Sequence, residues 1–273
     1  RRGFTAEGIN AFCAAMGVSR SIVVWAPYER LEQCGRQALN LVSPRRMVVL
    51  DPLKLVITNM DSKERKMFKC RDFPETLKEL GVSSDTEFEV PMTSVVYIEK
   101  KDFRAKANKK YFGLTPGKTV RLLHGVAVTC DKFDTDAKGN PSVVYCTADW
   151  AREKVVKKGF LHWVSEPEPG KKPFEVTVNL YEKLFTAERP GQDASGEKVN
   201  YLTQLNPKSL TVLRGCYANV DMKNAKHGGH YQFERLGFFY VDDSSTPKKP
   251  VFNRTMALSS SKDAKALQKG GKK

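Results

Sequence analysis

Apolar residues recur with a helical period at the start of the chain and in short strand-like runs after residue 44. Ile9, Phe12, Cys13 and Met16 stand at i, i+3, i+4 and i+7, the spacing that lays a stripe along one face of a helix. Thr5 is placed to cap that helix, Phe4 and Ile9 to staple its first turn, and Gly17 to end it. A weaker stripe of Leu31, Cys34 and Ala38 predicts a second helix over Pro27 to Leu39. Beyond Pro44 come β-branched and aromatic runs at Met47 to Leu50, Leu53 to Thr58, Phe88 to Met92 and Ser94 to Glu99. Others follow at Thr119 to Leu123, Val126 to Thr129, Val143 to Thr147, Phe160 to Val164 and Phe174 to Leu180, then Leu210 to Tyr217, Tyr231 to Asp242 and Val251 to Leu258. Breaks rich in Pro, Gly and Asn separate them, as in small barrels or sandwiches. No helix of crossover length lies between most of the runs, so antiparallel pairing is expected.

One stretch departs from this rhythm. Lys100, Lys101, Arg104, Lys106, Lys109, Lys110, Lys118 and Arg121 stand against only Glu99 and Asp102, with Phe103, Tyr111 and Phe112 between them. It reads as a basic helical segment. The last residues, from Ser259 to Lys273, hold Ser, Lys and Gly with almost nothing apolar, and disorder is expected there.

Charge changes the picture more than any element does. The 273 residues carry 46 Lys and Arg against 31 Asp and Glu, a net +15. That excess concentrates polyanions, nucleic acid above all. No run of 18 apolar residues exists, so neither a bilayer span nor a membrane partner is expected. Six scattered cysteines without a Cys-x-x-Cys pair suit reduced thiols in a cytosolic protein. The start at Arg1-Arg2-Gly3-Phe4 has no signal-peptide pattern. It opens in mid-pattern without Met, and a piece of a longer protein is expected.

Three strings imitate catalytic or metal motifs. Gly113-Leu-Thr-Pro116-Gly117-Lys118-Thr119 has one residue too few between its glycines for a phosphate loop, and Pro116 removes an amide. Asp134-Thr-Asp136-Ala-Lys138-Gly139 puts a lysine where a calcium ligand belongs, and reads as a hairpin turn. His227 and His230 flank two glycines with no third ligand nearby, and read as a solvated loop.

Longer strings carry a resemblance. Ser43-Pro44-Arg45-Arg46-Met47 through Asn59, Asp102-Phe103-Arg104, Ala107-Asn108-Lys109-Lys110-Tyr111 and Gly117-Lys118-x-Val120-Arg121-Leu122 resemble the anticodon-binding region of glutaminyl-tRNA synthetases. So do His162-Trp163-Val164-Ser165, Tyr181-x-x-Leu184-Phe185, Gln232-Phe233-Glu234-Arg235-x-Gly237-Phe238-Phe239 and Lys249 to Thr255. The blocks run in family order from residue 1 to about 258.

The resemblance implies a mainly β fold with a small N-terminal helical subdomain and two antiparallel β-barrels of the ribosomal protein L25-like type. Helices would occupy 1–40, the first barrel 41–110 and 205–260, the second 111–204, and a basic disordered tail 261–273. It implies a cytoplasmic, ATP-dependent glutamine–tRNA ligase whose anticodon reader is this segment. The expected partners are tRNA(Gln) and other synthetases in a multi-enzyme assembly. No cofactor is expected here, since ATP and Mg would belong to a catalytic domain upstream of Arg1.

By the same resemblance Arg45, Gln232 and Arg235 match residues enclosing the middle anticodon base. Arg121 matches a contact to the first base, Asn40 a position that reshapes the loop, and Lys110 a place near the third base. Lys106, Lys109 and Lys118 are expected on phosphates. Two positions depart from the pattern: Gly113 and Leu123 stand where bacterial members have arginines near the third and first bases. Arg and Gln suit such work because loop bases expose edges to two-pronged bonding. The plainer readings are an Arg45–Asp51 surface pair, a solvated strand face at Gln232 and Arg235, an ordinary exposed strand charge at Arg121, and barrel core at Tyr111 and Phe112 in place of base stacking. The competing assignments are a eukaryote-type glutamyl-tRNA synthetase, a freestanding L25-like RNA-binding protein, and a barrel that also makes protein contacts.

Overall fold

Thr5 caps the first helix as expected, its hydroxyl accepting from the Gly8 amide at 3.1 Å. This computed structural model describes residues 1–18, 20, 26, 28–82, 85–108 and 110–259, so the expected tail and Lys109 lie outside the described residues. Helix α1 is Ala6–Met16 and α2 is Tyr28–Val42. Only part of the apolar stripe of α1 is covered, for Phe12 and Met16 are half-buried while Ile9 and Cys13 are exposed. The helices approach closely at glycines. A Cβ built on Gly8 would lie 3.2 Å from the Gly35 Cα, a close approach that only small residues allow. Leu39 then packs with Phe4, Phe238 and Met256, fixing α2 to the β structure.

The strands are β1 (Arg45–Arg46), β2 (Val48–Val49), β3 (Pro52–Ile57), β4 (Lys66–Arg71), β5 (Glu87–Met92) and β6 (Val95–Glu99). Next come β7 (Thr119–Leu122), β8 (Ala127–Thr135), β9 (Pro141–Asp149), β10 (Phe160–Leu161) and β11 (Trp163–Ser165). The last are β12 (Phe174–Tyr181), β13 (Leu210–Ala218), β14 (His230–Phe233), β15 (Gly237–Val241) and β16 (Val251–Met256). One sheet runs β1-β14-β15-β16-β12-β13-β2, another β10-β7-β8-β9-β3-β6-β11, and β4 and β5 form a separate hairpin.

Each large sheet begins and ends with two halves of one broken strand, and that is how each curls into a nearly closed barrel. The first break is Met47, whose buried side chain joins the other barrel's core of Leu53, Leu55, Val96, Ile98 and Trp163. The second is His162, fully buried between the barrels. Around β12 to β16 the core is Val176, Val178, Phe233, Phe239 and Phe252, with Phe233 and Phe239 stacked 4.1 Å apart.

The mainly β, two-barrel expectation stands, but its details change. The strands are not all antiparallel: β1–β14, β12–β16, β3–β9 and β7–β10 pair in parallel. Their long connections are made of other strands, so lack of a crossover helix did not forbid them. The pairing also divides the chain differently. Strands β3 and β6 to β11 form one barrel, while β1, β2 and β12 to β16 form the other. Hydrogen-bond register, which composition does not reveal, decides that division.

Two local expectations also fail. Among the described residues, the basic stretch is helical only in a single turn at Lys100–Asp102. Gly113, Pro116 and Gly117 interrupt it, and the buried Phe103 and Leu114 bridge to each other against the barrel. His230 lies in no solvated loop: it opens β14, half-buried, with Nε2 3.1 Å from the Gly3 carbonyl.

Candidate nucleic-acid interface

The parallel pairing of β1 and β14 sets Arg45 directly opposite Gln232, which puts both side chains on one face. Each is 8% exposed. The Arg45 guanidinium donates to the Ser43 carbonyl at 3.0 Å and to Asn40 Oδ1 at 2.7 Å. Asn40, near the end of α2, therefore holds the arginine; no bond joins it to Asp51. Three of the five guanidinium N–H groups remain after these bonds. Gln232 Oε1 and Ser43 Oγ are buried without a protein partner. A buried acceptor left so costs about 1–3 kcal/mol, a cost that an arriving donor would offset.

Arg45 forms one wall of a cleft of about 570 Å3. Glu234 stands beside it, Lys69, Arg71 and Glu87 come from the β4–β5 hairpin, and His124 comes from the other barrel. Burial lowers the Arg45 pKa while Glu234 pulls it back up; burial raises the Glu234 pKa while Arg45 pulls it down. Burial also lowers His124. The cleft thus offers donors and acceptors of both kinds, partly desolvated and incompletely satisfied.

Arg235 is elsewhere. It turns the β14–β15 hairpin at φ +65, and its guanidinium crosses to the other barrel, where it grips both oxygens of buried Asp102, the Nη2 bond measuring 3.0 Å. Nη1 also lies 3.3 Å from His162 Nδ1. A guanidinium only donates, so Nδ1 accepts and Nε2 carries the ring proton. Nε2 then donates to Glu99 Oε1 at 3.3 Å, and the same oxygen accepts from the Leu50 amide at 2.7 Å. This chain of bonds joins the barrels. The expected trio therefore divides into Arg45 on the cleft wall with Gln232 as its strand neighbour, and Arg235 in a latch between the barrels.

The remaining expected residues among those described, Arg121, Lys106, Lys110 and Lys118, belong to a basic strip. Arg121 on β7 is half-buried and pairs across from Phe160, its Nη2 3.5 Å from the Lys154 carbonyl. Lys154 to Lys158 and Thr119 line a hollow of about 440 Å3 there. Lys106 and Lys110 are exposed. The Lys118 ammonium donates to the Tyr111 carbonyl. Tyr111 is structural: its hydroxyl donates to the Lys101 carbonyl at 3.1 Å, Arg104 lies 4.4 Å from its ring, and burial pushes its pKa up to about 12. The ring also occupies the room beside Gly113, where a Cβ would come 2.2 Å from the phenol oxygen. Leu123 packs on the barrel core, its carbonyl accepting from Trp163 Nε1 at 2.8 Å.

Sequence reasoning missed Glu234, His124, Lys69, Arg71, Asp102 and His162 as members of this region. Glu234 was within reach, since it follows Gln232 by two residues and strand alternation returns it to the same face. Lys69 and Arg71 alternate on β4, a strand with too few apolar residues to be noticed. His124 gave no signal.

Two family models match the chain, over residues 43–149 and 160–242, and both describe the anticodon-binding domain of class I tRNA synthetases for E and Q. Among similar curated proteins, a glutamine–tRNA ligase of Lupinus luteus is 41% identical over 273 residues, covering 100% of this chain and 33% of that protein. A cytoplasmic glutamine–tRNA ligase of Arabidopsis thaliana is 42% identical over 275 residues, covering 100% and 33%. One from Rhodopirellula baltica is 40% identical over 266 residues, covering 94% and 42%. The chain spans between a third and a half of the length of these relatives.

Proposed function

The chain belongs to the anticodon-binding domains of the class I tRNA synthetases for glutamate and glutamine, and on that premise we propose that it reads the anticodon of tRNA(Gln) within a glutamine–tRNA ligase. The observation that carries this reading is the Arg45–Gln232 pair, set side by side by strand register where Arg45 walls the cleft, with a buried, unpartnered acceptor on Gln232. An unpaired uracil edge offers acceptor, donor and acceptor in sequence. Arg45 N–H groups, Gln232 Oε1 and Gln232 Nε2 supply the complementary set. Such an edge satisfies groups the protein leaves bare, whereas cytosine would bring acceptor against acceptor at the middle position.

Arg235 enters this reading as a support. Its latch to Asp102 and His162 fixes the hairpin that carries Glu234 and Gln232 against the other barrel, which carries His124. ATP and Mg would be used by the ligase outside this segment, and a cytoplasmic setting is supported by the Arabidopsis relative, a cytoplasmic glutamine–tRNA ligase.

The reading is tested by binding tRNA(Gln) transcripts that differ only in the middle anticodon base. The native base should be preferred by about 1–3 kcal/mol, the worth of one two-pronged pair. Arg45→Ala and Gln232→Ala should each remove most of that preference. Equal binding of every transcript to the unaltered chain would sink the proposal.

A further inference from the structure

We propose that Phe112 is a stacking platform for a second unpaired base of the bound tRNA loop, outside the Arg45 cleft, with Lys118 and Lys158 serving the flanking phosphates. This rests on the tRNA reading given above.

Adjacent aromatic residues on the basic strip have opposite surroundings. The Tyr111 ring is held by its hydroxyl bond to Lys101, by Arg104 and by the backbone at Gly113. Phe112 is 50% exposed and belongs to no core cluster. A half-exposed phenyl adds little to folding, and this one is nonetheless firmly placed. Gly159, at φ +91, packs so closely that a Cβ on it would lie 2.5 Å from the Phe112 carbonyl oxygen. The Gly159 carbonyl in turn accepts from the Arg121 amide at 2.9 Å. The backbone under the ring is thus clamped between β7 and the loop that ends at Gly159.

The surroundings of the ring select its ligand. The Lys158 ammonium lies 4.9 Å from the ring centre and the Lys118 ammonium 5.9 Å. Lys154 and Lys157 line the hollow alongside. An apolar protein partner would have to desolvate these ammonium groups at a cost. A nucleic acid meets both needs at once, since its bases have π-faces for the ring and its backbone has anions for the lysines.

The test uses tRNA(Gln) transcripts carrying 2-aminopurine, or an abasic nucleotide, at each anticodon-loop position in turn. Phe112→Ala should weaken binding about 10-fold, the scale of losing one stacked base, for every middle-base variant alike. Fluorescence quenching at one loop position should vanish in Phe112→Ala and persist in Phe112→Trp. A transcript abasic at that position should show no further loss from Phe112→Ala. An unchanged melting temperature would separate these effects from misfolding. Phe112→Ala binding as tightly as the parent, or losing affinity equally with every abasic transcript, would overturn the proposal. If middle-base preference survives while the Phe112 effects are missing, the platform is wrong and the cleft reading stands. If the Phe112 quenching is present without middle-base preference, the cleft reading falls and the platform stands.

Discussion

The Arg45 cleft and the basic strip are both positively charged, yet they spend that charge in different ways. At the cleft, Arg45 is buried beside Glu234, Asn40 holds it from the side, and its strand neighbour Gln232 keeps an unsatisfied oxygen. On the strip, Lys106, Lys110, Lys154 and Lys157 lie exposed. Buried groups with fixed geometry discriminate, because a wrong ligand leaves them unpaired. Exposed ammonium groups attract any phosphate and choose nothing. Selectivity and affinity therefore reside in separate parts of the molecule and answer to different variables.

The largest expected effect comes from cutting what joins the cleft's two sides. Asp102→Ala strips Arg235 of its carboxylate at a largely buried junction, and should cost about 2–3 kcal/mol of stability in urea unfolding. It should also reduce middle-base preference while leaving the salt dependence of binding intact. Asp102→Asn, which keeps an acceptor for Arg235, should recover part of both. Retained preference in the alanine variant would separate the latch from the reading cleft.

Next in size is the contrast between Arg45→Ala and Lys106→Ala. The first should remove about 1–3 kcal/mol of discrimination and leave binding to mismatched transcripts nearly unchanged. The second should weaken all transcripts equally and make the slope of log affinity against log salt shallower by about 0.7. If Lys106→Ala altered preference, the division between the two regions would blur.

The smallest effect is one of pH. Burial holds the His124 pKa below 6.5 in the folded chain, so the unfolded chain takes up this proton at higher pH than the folded one. The neutral ring costs nothing above that value, and stability falls as pH drops through it. His124→Asn tolerates the left-handed backbone at φ 60 and removes the titration. Its stability should fall less steeply than the parent's between about pH 7 and pH 5.

Some of this was legible in the sequence for physical reasons. Short β-branched runs with polar breaks marked most strands, and Thr5 and Gly17 bounded the first helix because capping is a local affair. The resemblance placed Arg45, Gln232 and Asn40, and the fold does gather them. By the same resemblance Arg235 is grouped with Gln232 around one base. The turn at φ +65 sends it across to Asp102, and no local pattern encodes an ion pair between barrels. The stretch from Glu99 to Arg121 looked helical by its charge, while Gly113, Pro116 and Gly117 forbid a long helix. Strand β4 went unnoticed because Lys66, Lys69 and Arg71 dilute its apolar residues. Parallel pairings such as Arg45 with Gln232 depend on how the chain returns after a long excursion, which no window of sequence contains.

The most direct measurement is the dissociation constant of the unaltered chain for tRNA(Gln) with its native and its substituted middle base, across a salt series. Affinity for both should fall together with log salt, by a slope of about −0.7 for each phosphate contact in single-stranded regions. Their ratio should stay constant, because the buried cleft is poorly screened while the exposed strip is not. A ratio that collapses toward one as salt rises would show selection by the same exposed charges that supply affinity, and would contradict the account.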